Sequence, residues 1–464
     1  MTLGHDPDGK RLPIKIDSTS NGEFAPLPLD SVSRHARALA EDWAGDNAKR
    51  LGLTRRAFMV SACGAASTLL ALNAANAEAG HAAGYFDLDE SAALDEDLAR
   101  EQLGQREFVF DVQGHFVGEN GIGVTGLGGA DKFIKDIFLD SDTDMMILSF
   151  IPSNRERELL TIQEADETRR IVDAMEGSQR LLLHGRVNPN QDGDLEGMDE
   201  LAERWGVVAW KCYTQWGPGE RGGFFLHDED TGLKLIERAR ALGVRNICVH
   251  KGIPFGPQSY EHSVASDIGI VAKMFPDVNF LIYHSGFIPG EPEGPYDPGR
   301  GEGVDALIRS LEENDIPRNA NVYAELGSTW RQTMRRTDQA AHILGKLLKH
   351  VGEKNVLYGS DCIWYGSPQD QIQAMRTFQI APELREAHGY PEITPALRAG
   401  LFGLNAARPY SLDVDEILLR ARSDAVERRR AAYRERPDPH FLTYGPKTRR
   451  EYLANLAARG GSPV

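Results

Sequence analysis

Four residues of this chain are of types that could hold a metal ion, and each closes a short apolar run: His115, His250, His284 and Asp361. Imidazole nitrogens and a carboxylate oxygen suit Zn²⁺ best, accept Mn²⁺ or Fe²⁺, and can leave a coordination position for water. A single histidine at the end of a strand is more often a hydrogen-bonded structural residue. Four such residues ending four separate runs point instead to a metal centre. Beside them stand Gln113, Lys211, Arg186, Glu325 and Trp364. Side chains alternate along a strand, so Gln113 and His115 face the same way and could serve one ion, although an amide oxygen is a weak ligand. Arg186 could clamp a substrate carboxylate with its two-pronged guanidinium, although an ion pair at the barrel rim is the commoner use of such a residue.

The elements that must position these residues can be counted. Eight β-rich apolar runs follow one another: Phe108 to Phe116, Met145 to Ile151, Leu181 to Val187, Val207 to Tyr213, Ile247 to His250, Phe280 to His284, Val322 to Leu326 and Val356 to Ser360. Charged, helix-compatible stretches such as Arg155 to Met175, Gly232 to Leu242, Ile268 to Phe275 and Gln339 to Val351 lie between them. That alternation predicts a (β/α)8 TIM barrel over residues 106–413, of α/β class, with its chemistry at the C-terminal ends of the strands. An open doubly wound sheet would carry a Gly-rich phosphate loop after its first strand. Gly118 to Gly129 has no G-x-G-x-x-G before a helix and reads as a mouth loop. Trp216 to Gly219 and Pro254 to Pro257 also read as shaped loops over the site, and the aromatic residues Trp210, Tyr213, Phe225, Tyr283 and Trp364 would suit an aromatic substrate.

Ala272-Lys273-Met274-Phe275-Pro276-Asp277-Val278-Asn279-Phe280 leading into His284, then Val356-Leu357-Tyr358-Gly359-Ser360-Asp361 and Asn405-Ala406-Ala407-Arg408, resemble the amidohydrolase superfamily. The likeness is to its amidohydrolase-related group, which includes aminocarboxymuconate-semialdehyde decarboxylase and resorcylate-type decarboxylases, and it covers about residues 108–413. It implies a divalent metal, His115 and His250 as ligands, Asp361 as a ligand that also handles a proton, and His284 as a ligand or a catalytic, substrate-polarising group. Lys211 would bridge two metals if carboxylated. The chain departs from that group at its first strand, where the usual H-x-H or E-x-H is Gln113-Gly114-His115. The implied activity is hydrolysis of an amide, ester, lactone or ring carbonyl, and the alternative is non-oxidative decarboxylation of an aromatic or unsaturated carboxylate. Arg186, Glu325 and Trp364 are the candidate substrate contacts.

The flanks read differently. Residues 1–53 form a polar extension. Thr54-Arg55-Arg56-Ala57-Phe58-Met59, an apolar stretch to Leu72 and Ala75-Asn76-Ala77 have the layout of a twin-arginine signal peptide over 54–79, which would make the protein periplasmic or secreted by way of that export machinery. Residues 414–464 read as peripheral solvated helices that could mediate homo-oligomers. A net charge of −17 argues against a nucleic-acid partner, and nothing beyond the leader is long and apolar enough to insert stably in a membrane. Four cysteines, one of them inside the leader, make a disulfide scaffold improbable.

Overall fold

The computed structural model describes residues 6, 8–104, 107–118, 129–173, 179–218, 222–254 and 260–458. Eight parallel strands run in sequence order: β1 (Phe110–Gly114), β2 (Met145–Leu148), β3 (Leu181–Arg186), β4 (Ala209–Tyr213), β5 (Asn246–His250), β6 (Asn279–Tyr283), β7 (Val322–Glu325) and β8 (Val356–Leu357). Helices between successive strands cover the outside, as the alternation of β-branched runs with amphipathic charged ones requires. The barrel closes where the chain after β8 lies beside β1. Val112 N donates to Tyr358 O at 3.3 Å, Asp361 N to Gln113 O at 3.0 Å, and Ile363 N to His115 O at 2.9 Å. This seam brings Gln113, His115 and Asp361 together across some 250 residues of sequence.

The pleat decides which side chains enter the lumen. Phe110, Val112, Ala209, Cys248 and Leu281 fill its lower part, whereas Ile247, Val249, Phe280 and Ile282 pack outward against the helices. Lys211 and His250 share the inward parity of Ala209 and Cys248 and are buried. They reach the upper end of the barrel for that reason.

The N-terminal residues form a strap and three helices. Residues 8–30 run without regular structure across the molecule, pinned by an ion pair between Lys15 and Asp370 (2.7 Å) and by Thr19 Oγ1 on Thr443 Oγ1 (2.8 Å). Helix α1 (Ser31–Arg50) starts on Asp30, whose carboxylate accepts from Ser33 N at 2.7 Å. Helix α2 (Arg55–Val60) starts on Thr54 and α3 (Ala62–Glu78) on Ser61. Ala36, Ala40, Ala44 and Ala48, spaced four apart, are all buried where α1 packs on α3, since small residues at that spacing allow close approach. The segment that reads as an export leader is thus folded into the body: Phe58, Met59, Leu69 and Leu72 are fully buried. Its two arginines are engaged as well, Arg55 Nε on Gly9 O (2.8 Å) and Arg56 on Asp438 (3.1 Å).

The C-terminal helices differ from the solvated reading in one respect. Arg430, on the helix Ala425–Glu435, is completely buried and donates to Phe138 O at 2.9 Å, and Arg180 Nε meets Asp424 at 2.6 Å. An arginine inside a charged helical run packs inward where backbone carbonyls can satisfy its fork. Among the described residues no helix is long and apolar enough to cross a membrane.

Candidate metal centre

His115, His250, His284 and Asp361 meet at the upper end of the barrel, and all four are buried. Each imidazole gives one N–H to a backbone carbonyl. His115 Nδ1 lies 3.0 Å from Ser149 O, His284 Nδ1 2.6 Å from Gly327 O, and His250 Nε2 3.4 Å from Ile253 O. A carbonyl can only accept, so these contacts leave the other nitrogen of neutral His250 and of neutral His284 with a lone pair. His115 Nε2 is 3.3 Å from Asp361 Oδ1, His250 Nδ1 is 3.7 Å from Glu23 Oε1, and His284 Nε2 has no hydrogen-bond partner. The His250 nitrogen set against the Glu23 oxygen, and the unpartnered His284 Nε2, each on a ring whose other nitrogen is anchored, are the arrangement of metal ligands.

Burial keeps two of the rings neutral. It is the largest influence on His284, pushing its pKa down to about 4 against the opposing charge of Asp361, and on His250 it does the same, helped by the neighbouring His284. Burial would raise the Asp361 carboxyl, but the hydrogen bond and charge of His115, then the charge of His284 and the Ser328 hydroxyl, outweigh it and hold Asp361 below the usual carboxylate range. Asp361 Oδ1 also accepts from Gln113 Nε2 at 3.1 Å, while Oδ2 accepts from Ser328 Oγ and from Asn21 Nδ2 (2.9 Å). His284, Ser285, Ser328 and Asp361 all have φ between 53° and 66°. Four non-glycine residues in the left-handed region at one site are backbone strain that the surrounding packing sustains.

The other expected residues divide. Gln113 lies within the cluster, its amide nitrogen 3.2 Å from His115 Nε2 and its Oε1 buried without a hydrogen-bond partner, so the amide oxygen has no protein donor to satisfy it. Lys211 also lies there, with its ammonium over the Tyr283 ring (3.7 Å) and no hydrogen bond. Burial lowers its pKa, opposed by Cys248, Glu23, Glu325 and Asp361. Glu325 is a brace: its carboxylate accepts from His284 N (3.0 Å) and Gly327 N (2.6 Å), and burial raises its pKa to about 8. Trp364 walls the site, with its ring 6.4 Å from that of His115. Arg186 is committed elsewhere, to Glu158 (2.6 Å) and Asp194 (3.0 Å) at the rim. Its guanidinium is already matched by two carboxylates, and the substrate-clamp expectation gives way to the ion pair.

Of the aromatic residues, Tyr213 stacks on His250 at 4.6 Å, whereas Trp210 is core, with its Nε1 donating to Val244 O. In the mouth loops, residues 119–128, 219 and 255–257 lie outside the described residues. The site also contains two residues from the polar extension, Asn21 and Glu23, both buried. Their proximity to the barrel leaves no mark in the sequence, because a strap obeys no strand-end rule.

The family model described as "Amidohydrolase" matches residues 144–412, more than half of the chain. No curated protein is significantly similar in sequence. Among solved structures, an amidohydrolase from Burkholderia multivorans with bound zinc is similar over 66% of this chain and 100% of its own, at 15% identity and a TM-score of 0.42. A 5-carboxyvanillate decarboxylase from Sphingomonas paucimobilis is similar over 66% and 100%, at 13% identity and a TM-score of 0.44. A dihydroxybenzoic acid decarboxylase from Polaromonas, with manganese and the inhibitor 2-nitroresorcinol, is similar over 68% and 99%, at 12% identity and a TM-score of 0.43. The chain belongs to the amidohydrolase family.

Proposed function

We propose that the chain is a metal-dependent hydrolase of the amidohydrolase-related group that activates water for attack on a carbonyl compound: an amide, an ester, a lactone or a ring carbonyl. The observation that carries this reading is Asp361, held ionised between His115 and Ser328 beside bare imidazole nitrogens. An ionised carboxylate accepts a proton, which hydrolysis needs at its first step. Decarboxylation, the runner-up, needs a group that arrives protonated to deliver a proton to carbon, and Glu325, whose pKa burial raises to about 8, could arrive so.

His115, His250 and Asp361 would hold the metal, most suitably Zn²⁺, with His284 adding a fourth lone pair and Gln113 at most a weak amide oxygen. When bound, a divalent ion lowers the pKa of water so that hydroxide exists near neutral pH. Asp361 then takes the proton of the attacking water at Oδ1 or Oδ2 and returns it to the leaving group. The Gly327 carbonyl fixes His284 Nδ1 as the donor, so neutral His284 presents a lone pair and suits a ligand better than an oxyanion donor. Glu325 fixes the peptide that places it.

Isotope tracing tests the reading. Metal-reconstituted protein is offered a panel of lactones, esters, amides and aromatic carboxylates in H₂¹⁸O. Hydrolysis puts ¹⁸O in the organic product, and Asp361→Asn lowers turnover about 10²–10⁴-fold. Release of CO₂ with no ¹⁸O in the organic product would establish the decarboxylase instead.

A further inference from the structure

We propose that Glu23, carried on the strap outside the barrel, is a ligand of the metal centre together with His250 and His284. It would supply the strong ligand that Gln113 does not provide at β1. The inference rests on the metal-centre reading above and adds a residue to it.

The geometry is that of a coordination shell. One oxygen of Glu23, one nitrogen of His250 and one nitrogen of His284 lie within 4.8 Å of one another, and all three residues are buried. Ligand atoms about 2.1 Å from a tetrahedral ion stand about 3.4 Å apart. The 3.7 Å between His250 Nδ1 and Glu23 Oε1 is close to that spacing and too long for a hydrogen bond. His250 gives its Nε2 proton to Ile253 O, so its Nδ1 and the Glu23 oxygen are both electron-pair donors in the neutral ring. A cation between them satisfies both. The orphaned His284 Nε2 and the orphaned Gln113 Oε1 are independent signs of a missing electrophile.

The strap is built to deliver this carboxylate. The Asn21 side chain accepts from Glu23 N at 3.0 Å, and Gly22 between them takes φ of 85°, a turn that glycine adopts without strain. Asn21 Nδ2 donates to Glu23 Oε2 (2.5 Å) and to Asp361 Oδ2 (2.9 Å), so one amide orients two carboxylates and leaves an oxygen of each turned to the histidines. Upstream, Asp17 is tied to Arg331 at 3.0 Å, and downstream α1 begins at Asp30.

The test uses the full-length chain, stripped with a chelator and titrated with Zn²⁺ against a chromophoric competitor. Wild type should bind stoichiometrically. Glu23→Gln, nearly isosteric, should weaken Zn²⁺ by about 100-fold or more, beyond the effect of outer partners, and Glu23→Asp should recover part of that loss. Far-ultraviolet circular dichroism and melting of the metal-free proteins check that both variants fold. If Glu23→Gln misfolds, a loss confined to metal affinity in Glu23→Asp carries the same conclusion. Equal affinity in wild type and Glu23→Gln overturns the inference while leaving the metal centre standing. Equal affinity with faster turnover also overturns it and makes the strap a plug. A wild type that binds no metal sinks the metal-centre reading, and the inference with it.

Discussion

Arg186 shows what the lumen and the rim each ask of a charged side chain. It ends β3 at the upper end of the barrel, where a substrate carboxylate could be met, yet its guanidinium is shared between Glu158 and the fully buried Asp194, which also receives Arg155 at 3.1 Å. Removing one member of such a group leaves its partner charged and buried, at a cost of about 3 kcal/mol. Arg186→Gln should therefore lower the unfolding free energy by about that amount in urea titrations. For the remaining folded enzyme, KM should stay within about threefold, and a selective rise of KM beyond tenfold would restore the substrate role. That His115, His250, His284 and Asp361 meet was legible in the sequence because each ends or closely follows a strand, and the barrel rule turns a position in sequence into a position in space. Glu325 sat on the same rule and was legible only as a site residue: the two backbone N–H groups it binds, of His284 and Gly327, exist only once the loop has its left-handed turns. Glu23 was not legible at all. His250 and His284 lie more than 200 residues away from it, and nothing in Asn21-Gly22-Glu23 encodes that separation.

At the scale of elements, the eight strands were readable within a few residues because apolar runs and charged stretches alternate without interruption. The strap was not, since it has no periodicity and holds its place by single ionic contacts. Asp17 is the clearest of these. Burial would raise its carboxyl, but the Arg331 charge and the hydrogen bonds from Thr19 outweigh it and hold the pKa at about 2, against an ordinary 3.8. The folded group ionises more readily than the unfolded one. Its contribution, about 2 kcal/mol, is therefore complete above the ordinary value and is lost as pH falls through 2. Asp17→Asn should lower the unfolding free energy by about 2 kcal/mol at pH 7, and roughly half of that difference should have gone by pH 3. A difference that stays constant between pH 7 and pH 3 would mean that the pair with Arg331 does not anchor the strap. In a variant with a loosened strap, limited proteolysis at neutral pH should cut first within residues 18–28, close to Asn21 and Glu23.

At the scale of the whole molecule, what matters is whether residues 1–79 stay with the barrel. In sequence the paired arginines, the apolar stretch and Ala75-Asn76-Ala77 have the order of an export leader, and cleavage there would remove α1, α2, nearly all of α3 and the strap together. In the folded chain the same apolar stretch is core. Phe58, Met59, Leu69 and Leu72 are fully buried, and Asn76 on α3 donates to Arg335 O at 3.1 Å. Burying four such side chains contributes about 6–12 kcal/mol as an upper estimate, comparable with the roughly 5–15 kcal/mol by which a whole domain is stable. A chain beginning at Gly80 should therefore melt well below the full-length protein, bind a hydrophobic dye and hold Zn²⁺ more weakly, because Glu23 leaves with the strap. N-terminal sequencing of the protein recovered active from cells that possess the twin-arginine pathway should find residues upstream of Glu23. A chain of residues 80–464 that is stable, cooperative and metal-replete would show that the helices merely cover the barrel. It would also remove Glu23 from the metal centre, joining the fate of the leader to that of the ligand.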